Sequence, residues 1–293
     1  MRIDPMQTKQ CFKAQQGFSL VELITASVLS LVLVAGVATI YMGSRQTYNA
    51  RDELSTMQEN ARSAINALTK HLEHTGYTTS AHLPLAKPFY VQGDPVPVSK
   101  SCGGGANSLV INPADLAQTA DDDTASGTGD TIGVLFYADA ALGVDCSNEV
   151  VPPSCQAQEA PHPEYSRVYN SFYVGEVGGM PNLFCAGSRS SAATPVAEGV
   201  EAIQLAYGLD QNDDGTVDTY LDATAVKAAN RWYQVRTIKA AVLVRSRDPV
   251  FNAAEARSYT LLETTYNRND RYQRTVHTAV IYLRNLAVYD GGA

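Results

Sequence analysis

Proline is missing from Met6 to His82. Nothing in that stretch therefore forces a helix to break. Charge is missing from Leu23 to Met42, which excludes an ordinary solvated loop there. Basic residues are scarce, 22 Lys and Arg against 30 Asp and Glu, for a net charge of −8. That argues against nucleic-acid binding, which needs a basic patch. Nucleophile, zinc-protease and dinucleotide signatures (Gly-x-Ser-x-Gly, His-Glu-x-x-His, Gly-x-Gly-x-x-Gly) are all absent. The run Gly103-Gly104-Gly105 lacks a following Lys-Ser/Thr and is no phosphate loop. The five cysteines have no doublet spacing, so a structural zinc site is excluded. No internal repeat is visible. These absences point away from an enzyme.

What is present begins with the uncharged span. Leu23 to Met42 is 20 residues, roughly 30 Å as a helix and so one hydrocarbon thickness. Thr25, Ser27, Ser30 and Thr39 can return their hydroxyls to the helix backbone. Arg2, Lys9 and Lys13 against Asp4 place residues 1–17 on the cytoplasmic side and the rest outside. Gly36 and Ala38 would suit a signal-peptidase site. However, Glu22 sits where the apolar core of a signal peptide should already have begun. A carboxylate at the mouth of a membrane helix costs kcal/mol unless it is paired or stays at the interface, so it is a functional candidate.

The helical pattern does not stop at the membrane face. Leu54, Met57, Ala61, Ile65, Leu68 and Leu72 recur at spacings of three and four, which is one apolar stripe. Gly76 follows and suits a left-handed cap. One helix from about Ser19 to Thr75 is expected, apolar all round in its first half and amphipathic in its second.

Gly17-Phe18-Ser19-Leu20-Val21-Glu22, after a short basic leader and before the apolar span, resembles a type IV prepilin. The resemblance implies cleavage after Gly17 by a prepilin peptidase, methylation of Phe18, and pairing of Glu22 with a neighbouring subunit's N-terminal ammonium. It also implies an α+β fold: a long pilin helix packed on an antiparallel β-sheet head with long loops. The chain then divides into a leader (1–17), the long helix (18–76, transmembrane half 20–42) and a periplasmic head (77–293). Many major pilins carry a proline in the membrane half, and this chain does not. The stretch Arg271–Asn285 and the overall length are similar to PilW-type minor pilins. The implied role is pilus assembly, priming or a tip complex, hence twitching motility. The implied partners are other minor pilins, the major pilin and the inner-membrane assembly platform. The implied location is the inner membrane, single pass, and then the pilus at the cell surface. A type II secretion pseudopilin and a pilin-stemmed adhesin share the same leader and stem.

Cleavage after Gly17 would remove Cys11 and leave Cys102, Cys146, Cys155 and Cys185, an even number suited to two disulfides in an oxidising compartment. It would also leave 19 basic against 29 acidic residues, about −10. Four cysteines allow three pairings. Cys146–Cys155 would close a short loop around Val150–Pro153, and Cys102–Cys185 would then join distant segments. That pairing is favoured, with the others open.

In the head, residues 78–131 are rich in Pro, Gly, Ser and Asp and read as loops, with one short strand near Ser108–Ile111. Asp121-Asp122-Asp123 reads as a solvated loop tip. Strands are expected at Thr131–Tyr137, Ser166–Val174, Val200–Leu209, Tyr233–Arg245, Ser258–Thr265 and Arg274–Asn285. Between two of them, Asp210, Asn212, Asp214, Thr216 (through its carbonyl) and Asp218 match the first nine positions of a calcium loop, with Gly215 at the turn. The twelfth position is Leu221 rather than glutamate, although Asp222 is next. A bare polar turn is the competing reading. His71 and His74, three apart near a helix C-terminus, and the cluster Tyr165, Tyr169, Phe172 and Tyr173 are weaker ligand candidates. Packing explains both more simply.

Overall fold

The computed structural model describes residues 17–79, 85, 87–160 and 162–286. Cys11, the leader before Gly17 and His82 lie outside the described residues. Helix α1 runs Leu20–Leu72. It belongs to two units, divided between Asn49 and Ala50.

In the first unit every described residue is exposed, and the helix is long and apolar enough to cross a membrane. Its polar side chains are turned back on the backbone. Thr25 Oγ1 donates to the Glu22 carbonyl (3.0 Å), Ser27 Oγ to Ile24 (2.8 Å), Ser30 Oγ to Ala26 (2.8 Å) and Thr39 Oγ1 to Gly36 (2.8 Å). Each hydroxyl is thereby satisfied without water, which is the condition for lying in hydrocarbon.

The second unit holds the remaining turns of α1 and all the strands. Two of these, β1 (Ser101–Gly103) and β2 (Ala106–Asn107), form a small ribbon. The first four-stranded sheet contains β3 (Ile132–Tyr137), β4 (Arg167–Val177), β5 (Met180–Gly187) and β6 (Thr194–Glu198), in that order and antiparallel throughout. The second follows with β7 (Val200–Leu209) and β8 (Thr219–Leu221), the short helix α2 (Ala223–Ala229), and β9 (Val235–Arg245). A hairpin of β10 (Glu255–Leu261) and β11 (Thr264–Asp270) comes next, and β12 (Arg274–Tyr282) closes the second sheet in the order β12-β9-β7-β8.

The α1 stripe explains the layering. Met57, Ala61, Ala64, Leu68 and Leu72 are buried in one cluster with Ile132, Val134, Phe172, Leu183, Ile203, Leu205, Ile238 and Val242. One helix face thus fills the inner faces of both sheets, each large apolar side chain contributing about 2 kcal/mol. The helix ends at Leu72, and Gly76 takes φ +74° and donates its N–H to the Leu135 carbonyl (2.9 Å), anchoring the exit on β3. On the outer face of the second sheet, the β10–β11 hairpin packs Leu261 and Tyr266 onto Ala202, Ala241 and Leu243. The first sheet's outer face is covered by Tyr90, Ile111 and Leu116 from the long loop.

The fold class is the expected α+β arrangement, with differences in detail. Ser258–Thr265 is not one strand: the chain reverses at Leu262 (φ +51°) and makes the β10–β11 hairpin. Ser108–Ile111 is not a strand, and β1–β2 lie just before it. The sequence reading missed β5 and β6 because Pro181 and Pro195 look like breaks. Pro195 is tolerated on β6 because that strand is a sheet edge, where a missing N–H costs no ladder bond. It also missed α2, which Asp222 caps by accepting from Ala225 N–H (2.6 Å).

Candidate functional site

Glu22 stands in the first turn of α1 and is exposed, as is Phe18 at 85 %. A carboxylate there faces the positive end of the helix dipole, worth a few tenths to about 1 kcal/mol. The side chains around it are also outward and apolar: Leu20, Val21, Leu23 and Ile24. The described structure therefore presents one acid on an otherwise greasy surface, with no intramolecular ion pair among the described residues.

The 210–218 loop is closed on itself. Asp210 is fully buried. Its Oδ1 accepts from Asp214 N–H (3.1 Å) and its Oδ2 from Gly215 N–H (2.9 Å). Asn212 Oδ1 accepts from Asp214 N–H (3.1 Å), Asp214 Oδ1 from Thr216 N–H (2.8 Å), and Asp218 Oδ2 from Gln211 N–H (2.7 Å). The hydrogen bonds from Thr216 and Asn212 hold the Asp214 carboxyl below the usual carboxylate range. Charge compensation comes from β9: Arg236 Nε lies 3.6 Å from Asp210 Oδ2 and Nη2 lies 3.3 Å from Asp213 Oδ1. Asp222, the spare acid beyond the loop, is spent as the α2 cap.

Among the described residues no group of three or more His, Cys, Asp or Glu is arranged to hold a metal. The donors that matched a calcium template are turned onto amides, and a guanidinium already sits against Asp210. The calcium expectation for Asp210, Asn212, Asp214, Thr216 and Asp218 does not fit this geometry. Millimolar calcium added to chelator-treated protein is expected to move Tm by less than about 1 °C, because an ion that does not bind cannot stabilise. A rise of several degrees by differential scanning fluorimetry would reverse that conclusion.

The four cysteines beyond α1 form Cys102–Cys155 and Cys146–Cys185. This corrects the favoured pairing of neighbours. Pro153–Cys155 is a short 3-10 turn that delivers Cys155 beside β1, where Ser154 Oγ donates to the Gly103 carbonyl (3.5 Å). Cys146 is instead held to the first sheet, its N–H donating to Asn170 Oδ1 (2.9 Å), opposite Cys185 on β5. Next to it, Asp145 is fully buried and accepts four backbone N–H groups, from Ser147, Glu149, Arg189 and Ser190.

Asp121–Asp123 is not a free loop tip. Asp123 accepts from Thr264 Oγ1, and the Asp122 carbonyl accepts from Gln204 Nε2 (3.0 Å). Burial raises the Asp121 carboxyl to about 6. Asp130, which bonds Asp122 N–H (2.8 Å) and Leu205 N–H (2.7 Å), is raised to about 7, chiefly by burial. His71 is buried against Phe172 and depressed to about 4, again mainly by burial, while His74 packs edge-on to Phe136. The two rings are packing elements. Of the tyrosine cluster, Tyr173 stacks on Phe184 at 5.6 Å, and Tyr169 meets Tyr90 edge-on at 5.7 Å.

Residues 171–285, from β4 through β12, match the family described as Type IV Pilus-assembly protein W. Residues 12–38, which include the start of α1, match the prokaryotic N-terminal methylation motif. The chain's sheets and the start of its helix are thus similar to type IV pilin sequences of the PilW type. No curated protein matches it. A type IV-like pilin from Thermus thermophilus is similar at 15 % identity, covering 81 % of this chain and 98 % of that one, with a TM-score of 0.39. This chain's apolar N-terminal helix and methylation motif fit a membrane-anchored pilin.

Proposed function

We propose that the protein is a minor pilin of the type IV pilus. It is made as a prepilin and cut between Gly17 and Phe18 by the prepilin peptidase, with Phe18 then methylated. Residues 20–42 hold it in the inner membrane and residues 77–293 form the periplasmic head. From there it joins other minor pilins and the major pilin at the assembly platform, to prime the filament or sit in its tip complex. The observation that carries this reading is Glu22, a single outward carboxylate on a helix surface that is otherwise apolar from Leu20 to Met42. At the middle of a bilayer such a charge would cost roughly 2.5–3.5 kcal/mol, and less near the interface. A neighbouring subunit's N-terminal ammonium offsets that cost, and a helix lacking it does not.

One experiment tests both halves. Protein recovered from membranes and sheared filaments is analysed by mass spectrometry, as wild type and as Glu22→Ala. The expected wild-type N-terminus is methylated Phe18. Glu22→Ala is expected to be cut normally and to fall about tenfold or more in the filament fraction. An intact Met1, or a start at Thr39, defeats the processing half; undiminished incorporation of Glu22→Ala defeats the assembly half.

A further inference from the structure

A surface cavity of about 270 Å³ opens between the extended segment Pro95–Val98 and the outer face of the first sheet. Val96, Val98 and Leu109 form its apolar wall, and Lys100, Ser108, Glu164, Arg167 and Tyr169 its polar one, two cations against one carboxylate. Arg167 and Tyr137 are direct cross-strand partners on β4 and β3. The Arg167 guanidinium lies close to the hydroxyls of Tyr137 and Tyr169. Tyr169 is braced in turn by the Tyr90 ring at 5.7 Å. Arg167 is exposed to solvent at the mouth of the cavity, beside Tyr137 and Tyr169.

The charges do not cancel. Lys100 Nζ is 3.9 Å from Glu164 Oε1 at the rim, with both side chains about half exposed (47 % and 48 %). Such a pair is weak. Arg167 has no carboxylate within ion-pairing distance among the described residues. A guanidinium without a carboxylate partner in a concave site is unexpected on a chain of net charge −8. Planar guanidinium forks match carboxylates bidentately.

We propose that this cavity binds a carboxylate ligand of about one ring in size, an acidic sugar residue, with Arg167 gripping the carboxylate and Val96 and Val98 lying against its apolar face. The volume sits just under the roughly 300–1,000 Å³ of drug-sized pockets, which limits the ligand to a compact body. Pro95 and Pro97 have no N–H to donate, so the rim cannot add a peptide as an extra strand. That favours a sugar over an extended peptide.

Full-length protein in detergent micelles is titrated with D-glucuronate, with its methyl ester, and with the tripeptide Gly-Gly-Ala as a free peptide carboxylate. Saturable binding of glucuronate below about 10 mM is expected, consistent with a single small ligand. The ester and the Arg167→Gln variant are each expected to bind about tenfold more weakly or not at all. Tyr169→Phe keeps the ring but removes the hydroxyl beside the guanidinium, and is expected to weaken binding severalfold with an unchanged Tm. No saturation by about 50 mM, equal binding of the ester, equal binding by Arg167→Gln, or tighter binding of the tripeptide would each overturn the assignment.

Discussion

Asp145→Ala is expected to lower the unfolding free energy by about 3–5 kcal/mol. The carboxylate is fully buried and is the common acceptor for two loops. Oδ1 takes Ser147 N–H and Glu149 N–H, both at 3.0 Å, and Oδ2 takes Arg189 N–H (2.8 Å) and Ser190 N–H (3.2 Å). Removing it strands four donors, each costing about 1–3 kcal/mol if water cannot reach it. Asp145→Asn keeps the volume but points an amide donor at two of the N–H groups, so an intermediate loss is expected. Gly187→Ala should fail for the same reason from the other side, because a Cβ there would sit 2.2 Å from Asp145 Oδ2. For a unit of this size 1 kcal/mol is worth about 2–4 °C. Thermal melting followed by near-ultraviolet circular dichroism should therefore show a fall of about 10 °C for Asp145→Ala. A shift under about 2 °C would mean that the four amides find other partners.

Glu201→Ala is expected to cost about 3–5 kcal/mol and to loosen the β10–β11 hairpin. Arg274 is nearly buried, with 2 % of its side chain exposed. It donates from Nε to Glu201 Oε2 (2.5 Å), from Nη2 to Glu201 Oε1 (2.9 Å), and from Nη1 and Nη2 to Asp270 (2.7 and 2.6 Å). Arg245 and Arg268 also approach Glu201, at 3.7 and 3.9 Å. Two carboxylates thus balance three guanidiniums across β7, β9, β11 and β12. Deleting Glu201 leaves the cations facing one another. The network is pH-sensitive on the acid side. Hydrogen bonds from Arg274 hold the Asp270 carboxyl below its usual value of 3.8. A depressed acid stabilises the fold above its unfolded pKa and loses that contribution as pH falls through its folded value. Wild-type stability should therefore fall as pH drops below about 4, and Asp270→Asn should flatten that fall. Hydrogen exchange in residues 255–270 is the direct readout. Unchanged protection there would show that apolar packing alone docks the hairpin.

Much of this was legible in the sequence because the signals were periodic. The stripe from Leu54 to Leu72 named the packed face of α1, and the strands expected at Tyr233–Arg245 and Arg274–Asn285 became β9 and β12 of the second sheet. The β9 alternation puts Val235, Thr237, Lys239, Ala241 and Leu243 on one face. Ala241 and Leu243 do meet the hairpin, and Ile238, Ala240, Val242 and Val244 the helix core, but Val235 lies in that core too, beside a bulge in the β7–β9 pairing. What was not legible depended on chain segments meeting across long separations. Asp145 looks like any turn residue until Arg189 and Ser190 arrive. Arg236 lies 23 residues or more from the carboxylates it neutralises, so an acidic loop read alone looked like a cation site. Arg167 opens β4, and only the β3–β4 register shows that Tyr137 stands opposite it.

The cystine connectivity has a consequence for maturation. Cys146 and Cys155 are nearest in sequence among the four thiols, and closing a short loop is entropically the easiest first step. Neither is joined to the other in the finished fold; each reaches to a separate segment. Oxidation alone would accumulate the wrong cross-link. Reaching the right one requires exchange between a free thiolate and the misplaced bond, so production in a host without a disulfide isomerase should yield scrambled isomers even where oxidant is plentiful.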